Sequence, residues 1–267
     1  MAIGLSMPLG LGYLHAWRGT MRRAFGIFFR QRAEDVRTAS AKIVRRLVRK
    51  VFEIVLSDID LAAALGDPNG AAAFEEKHLR DVHKFKSRAD LLAYALDEAT
   101  VPDGLYLEFG VYKGASINRL AALRPRLRFY GFDSFRGLPE PWTMGAAKGA
   151  FTLNGKLPAV RSNVELIAGY FEASLPAFIA GHKGRSIAFM HIDCDLYSST
   201  KFVLFAVREL MTEGTVIVFD EFFNFPNWQR SGEYQALAEF VQATGLRYEF
   251  IGYIRHSVQM AIRIKVP

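Results

Sequence analysis

A single cysteine, Cys194, in 267 residues excludes an internal disulfide and fits a reducing compartment. No apolar run is long enough to span a membrane, and no signal peptide with a cleavage site is evident, so a cytoplasmic chain is expected. Excess charge is also missing outside one segment. Residues 1–50 carry 11 Lys or Arg against 2 acids, so the net charge of +7 belongs to the N-terminus and the body is slightly acidic. The body therefore lacks the basic surface of a nucleic-acid binder, and no nucleic-acid partner is expected. No internal repeat is apparent. What the chain does have is 51% hydrophobic residues, which suits one large α/β domain with additional helices.

Residues 1–12 are Gly-rich and expected to be poorly ordered. Trp17, Met21, Phe25, Phe28 and Phe29 then recur at helical spacing, with Arg18, Arg22 and Arg30 elsewhere around the helix. A basic amphipathic helix over residues 13–32 suits peripheral contact with an anionic membrane, or packing on its own domain or on a second subunit. Packing is the favoured reading, and a homo-oligomer is expected. A second helical run covers residues 40–65, and Gly66-Asp-Pro-Asn-Gly70 breaks it. Ser87-Arg-Ala-Asp90 reads as a capped helix start. The expected division is a basic helical extension over 1–82 and a catalytic domain over 83–267.

From Leu105 onward, strands and helices alternate. Strands are expected at Leu105–Glu108, Arg128–Phe132, Val164–Ala168, Ile187–Ile192 and Gly214–Phe219, followed by a helix at Glu233–Thr244 and a hairpin of 248–254 with 258–264. The fold class is α/β, a doubly wound, mostly parallel seven-stranded Rossmann-like sheet with a C-terminal antiparallel hairpin. Residues 134–160 are long enough for a lid. The aromatic loop Phe222–Trp228 is expected either to line an acceptor pocket or to pack against the hairpin.

The stretch Leu105–Ile117 reads as a strand, a glycine turn and the start of a helix. Gly110 and Gly114 relax the backbone around Val111 and Tyr112, and Ser116 is placed to cap the helix. A helix start favours an anion. Beside it, Glu108 makes a pocket suited to a zwitterion such as the methionine part of S-adenosylmethionine. Another nucleotide or a plain turn remain alternatives. A dinucleotide fingerprint would want glycine where Ile117 stands, and a P-loop would place the lysine after the glycine rather than at Lys113.

Ligands of an open parallel sheet bind beyond the carboxyl ends of its strands, where this chain has acids. Asp133, followed by Ser134, stands at the spacing expected of a ribose ligand. Gly169 and Phe171, past the third strand, are expected at the same cofactor. Asp193, Asp220 and Glu221 are expected to converge, which is costly without a cation, and an all-oxygen set favours Mg²⁺. His191 reads as a satisfied core residue and Cys194 as a packing residue.

Glu108-Phe-Gly-Val-Tyr-Lys-Gly114, Gly131–Pro139, His191–Thr200 and Phe219-Asp-Glu-Phe222 together resemble the macrocin O-methyltransferase family, over roughly residues 83–264. The resemblance implies a class I, S-adenosylmethionine-dependent O-methyltransferase acting on a sugar or natural-product hydroxyl. It also implies Mg²⁺ held by Asp193, Asp220 and Glu221. Catechol O-methyltransferase, similar in arrangement, has a lysine base where this chain has Leu196. The base is therefore sought in Asp195 or His256, with Asp193 catalytic through the metal it holds. A metal-independent N- or O-methyltransferase, or a non-catalytic scaffold of the same fold, is the alternative.

Overall fold

The chain divides into two compact units, residues 1–54 and 55–267, and the computed structural model describes residues 58–266 apart from 65, 68, 69 and 143. The helix expected around Trp17, the contact expected through residues 13–32 and all of the 40–65 run except its last turns lie outside the described residues.

Two short helices, α1 (Ile59–Ala64) and α2 (Ala71–His78), lead into strand β1 (His83–Phe85) and helix α3 (Arg88–Asp97). Then follow β2 (Leu105–Phe109), α4 (Ala115–Leu123), β3 (Phe129–Asp133), β4 (Val164–Ala168), α5 (Phe171–Gly181), β5 (Ile187–Ile192), α6 (Tyr197–Ala206), β6 (Val216–Phe219), α7 (Glu233–Thr244), β7 (Arg247–Ile254) and β8 (Met260–Lys265). They form one eight-stranded sheet in the order β1-β7-β8-β6-β5-β2-β3-β4. Seven strands were expected. The eighth is β1, three residues long and paired in parallel with β7. It is too short to show a period in the sequence. Every pairing is parallel except those of β8, which runs antiparallel to β6 and β7.

Helices cover both faces, so the central strands are apolar on both sides rather than alternating. All five residues of β2 and all six of β5 are buried. Two cores result. Leu105, Leu107 and Phe109 join one, and Tyr106, Phe129 and Ala188 join the other. Ile59, Ala71, Phe74 and Leu79 also join the first core, so this part of the expected extension packs as one body with the sheet.

The chain lays β3 and β4 to one side of β2, then returns to place β5 on the other. A reversal of this kind opens a crevice between β2 and β5 at their carboxyl ends. The segment 134–160 borders that end without helix or strand among its described residues, but it is held by its own backbone. Leu138 N–H donates to the Ala150 carbonyl at 3.0 Å, and the Leu138 carbonyl accepts from Gly149 N–H at 2.9 Å.

The aromatic loop after β6 packs rather than opening onto a cavity. Phe222, Phe223, Phe225 and Trp228 are all in the first core. The Phe74 and Trp228 rings meet edge to face at 4.9 Å. With α2 available to cover it, burial of this apolar surface decides its place.

Candidate active site

The crevice between β2 and β5 holds a cavity of about 340 Å³, within the roughly 300–1,000 Å³ of small-molecule sites. Its floor is the turn after β2. Gly110 has φ +89°, and a Cβ there would stand 1.7 Å from the Asp193 carbonyl oxygen. The turn and the end of β5 therefore touch main chain to main chain, and only glycine fits.

Asp133 ends β3 and ties this turn in place. Its Oδ2 accepts from the N–H groups of Val111 at 2.9 Å and Tyr112 at 2.7 Å, and its Oδ1 accepts from Phe135 N–H at 2.7 Å. A carboxylate offers about four lone-pair sites, so little acceptor capacity is left over. Asp133 lines the cavity all the same.

Among the residues expected at a cofactor, Gly110, Tyr112, Asp133, Ser134, Gly169 and Phe171 line this cavity, whereas Glu108, Val111, Gly114 and Ser116 do not. For Glu108 and Ser116 the reason lies in a buried hydrogen-bond chain. Glu108 is 1% exposed. Its Oε1 accepts from the Ser116 hydroxyl at 2.9 Å, and its Oε2 lies 2.9 Å from His191 Nδ1. Ser116 therefore does not cap α4. Gly114, with φ +80°, stands at that position. His191 is a satisfied core residue, as expected. Burial works against its charge, yet the Asp220 and Glu108 carboxylates outweigh it and push its pKa up to about 10.

Asp193, Asp195 and Glu221 each offer an oxygen within 4.8 Å of the others, and all three line the cavity. Asp195, not Asp220, completes the set. Asp220 Oδ1 lies 2.7 Å from Arg88 Nε, an ion pair in which neither atom makes a hydrogen bond. The same guanidinium pairs with Asp193 Oδ2. Burial opposes ionisation of Asp220, but His191 and Arg88 hold its pKa below the usual carboxylate range. The other acids move the opposite way. Burial, with Asp220 as neighbour, pushes Asp193 up to about 6. Burial, with Asp193 as neighbour, pushes Asp195 to about 7. Glu221 and Glu233 rise well above the ordinary value, again chiefly through burial. Glu233 Oε2 accepts from Glu221 N–H at 2.8 Å.

The donor set fits a hard cation. Its three oxygens suit Mg²⁺, Mn²⁺ or Ca²⁺. Glu221 Oε2 is buried with no hydrogen-bond partner among the described residues, an arrangement that costs free energy until something satisfies it.

His256 is not brought to this site. It sits in the β7–β8 turn, with Nδ1 3.5 Å from Asp58 Oδ1. That turn shares the carboxyl edge of the sheet, but β8 and β6 stand between it and β5. Cys194 borders the cavity, but its thiol is buried 3.4 Å from the Thr200 hydroxyl, and burial raises its pKa well above normal. It packs. Arg88, Tyr170 and Glu172 line the cavity without having been expected there. For Arg88 the available signal was the Ser87 cap, which accepts from Asp90 N–H at 3.2 Å and fixes the first turn of α3.

A family model described as a methyltransferase domain matches residues 107–222. No curated protein matches the chain. Among solved structures, CalS11, a calicheamicin methyltransferase, is 28% identical over 66% of this chain and 76% of its own, with a TM-score of 0.52. The O-methyltransferase NovP is 18% identical over 66% and 78%, with a TM-score of 0.49. The O-methyltransferase TomG from Streptomyces achromogenes is 17% identical over 78% and 95%, with a TM-score of 0.41. On its sheet order, its glycine turn and this domain match, the chain is a methyltransferase with the Rossmann-like class I fold.

Proposed function

We propose that this chain transfers a methyl group from S-adenosylmethionine to a hydroxyl of a sugar or natural product, assisted by a divalent cation. The carrying observation is the convergence of Asp193, Asp195 and Glu221 on the cavity wall beside the glycine turn. A natural product as acceptor is supported by the likeness to CalS11, whose name gives calicheamicin.

When bound, S-adenosylmethionine supplies an electrophilic methyl group, and the cation supplies positive charge beside the acceptor oxygen. The protein's part is placement and proton handling. The turn fixed by Gly110 and Asp133 sets the cofactor side of the cavity. Tyr112 and Phe151, whose rings meet edge to face at 5.6 Å, and Trp142 add aromatic surface to the cavity wall. Holding the acceptor oxygen in line with the methyl group accounts for much of the acceleration in a displacement of this kind. Asp195, on the cavity wall, would take the hydroxyl proton as general base through the carboxylate oxygen not given to the cation.

Incubation with labelled S-adenosylmethionine and a panel of glycosylated natural products tests this reading. Label transfer that EDTA abolishes and Mg²⁺ restores supports all of it. EDTA-insensitive transfer would keep the methyltransferase and remove the cation, which the Arg88–Asp193 pair favours because it already places one positive charge among these acids.

A further inference from the structure

Arg88 lies outside the matched residues 107–222, yet its side chain reaches the carboxyl ends of β5 and β6. Nε stands 2.7 Å from Asp220 Oδ1, the terminal Nη2 pairs with Asp193 Oδ2, and Nη2 also lies 3.4 Å from His191 Nε2. The Asp193 contact is a hydrogen bond and the Asp220 contact an ion pair without one, so one guanidinium serves two carboxylates. The side chain is 38% exposed and borders the cavity, so a small ion arriving there meets it directly.

Asp193 thus has two claims on it. It belongs to the oxygen set with Asp195 and Glu221, and it is one arm of the Arg88 fork. We propose that Arg88 is a positioning residue that stands in for a cation between Asp193 and Asp220. It neutralises part of the charge of Asp220 and competes with a divalent ion for Asp193. This rests on the cation reading given above. The charge argument fixes a sign. Removing Arg88 leaves one more uncompensated negative charge on the cavity wall, which draws a cation in. A merely structural arginine, when removed, would loosen the acids and weaken the same binding.

The test is Mn²⁺ titration of the full chain, followed by electron paramagnetic resonance, for the wild type, Arg88→Gln and Arg88→Lys, with circular dichroism as a check on folding. Arg88→Gln is expected to bind Mn²⁺ at least tenfold more tightly. Arg88→Lys, which keeps the charge but loses the fork, is expected to tighten it two- to threefold. If the wild type binds and Arg88→Gln binds equally or more weakly, the role given to Arg88 is overturned and the cation reading stands. If only Arg88→Gln binds, Arg88 is upheld as the resident cation, and the cation reading fails for the native chain. If neither binds, both fall. Should Arg88→Gln not fold, Arg88→Lys decides alone. Tighter binding upholds the proposal, and equal or weaker binding overturns it.

Discussion

His191 Nδ1 lies 2.9 Å from Glu108 Oε2, and the two residues face each other in register across the parallel β2–β5 pair. Each is at most 1% exposed. With Ser116 on one side and Asp220 3.9 Å from Nε2 on the other, they form a buried polar strut beneath the cavity. Removing one partner strands the other charge. Glu108→Gln is predicted to cost about 3–5 kcal/mol, the usual penalty for breaking a buried ion pair, as read by urea denaturation. The pH dependence follows from the raised His191 value. The folded pKa is above the unfolded one, so the contribution is complete below about 6.5 and is lost as pH rises through about 10. Denaturation midpoints of the wild type and Glu108→Gln should therefore converge at the alkaline end.

Gly110→Ala is predicted to abolish cofactor binding. The added methyl would sit 1.7 Å from the Asp193 carbonyl at φ +89°, so either the turn or the end of β5 must move. Calorimetric titration with S-adenosylhomocysteine should show no heat for the variant, and its melting temperature should fall. Gly149→Ala, also at positive φ but with open space around the position, should melt closer to the wild type and still bind.

Cation binding should be steeply pH-dependent. Asp193 and Asp195 have pKa values raised to about 6 and about 7, so near pH 5 a cation must displace protons, whereas near pH 8 it meets ionised oxygens. In the absence of cation the same groups stabilise the fold at low pH, and this is lost as pH rises through those values. Mg²⁺ is therefore predicted to raise the melting temperature more at about pH 8 than at about pH 5. An equal shift at both would speak against these acids as the ligands.

Phe223→Ala is predicted to lose about 3–5 kcal/mol of stability, as for other buried aromatic truncations, with the acceptor KM unchanged. A raised KM at wild-type stability would return the loop to the acceptor pocket.

The strands were legible because both faces are covered. Continuous apolar runs such as Ile187–Ile192 announce a buried parallel strand, and Gly110 and Asp133 announce the crevice by kind and spacing. Partner choice was not legible. Nothing in the sequence tells that Glu108 will turn inward to His191, or that Ser116 will follow it instead of capping α4. Likewise, Asp193, Asp195, Asp220 and Glu221 have the same chemistry on paper. Which three converge depends on how the strand ends pack, and Arg88, 105 positions before Asp193, adds a positive charge there whose reach depends on how α3 docks. The aromatic loop shows the same limit. Its packing needed α2 as a cover, and α2 is distant in sequence.

The most direct measurement is calorimetric titration of S-adenosylmethionine into the full chain and into Asp133→Ala. One site of micromolar affinity in the wild type, weakened at least tenfold in Asp133→Ala, is the predicted result. No binding at millimolar cofactor, or equal affinity in the two proteins, would contradict the placement of the cofactor at the end of β2 and β3.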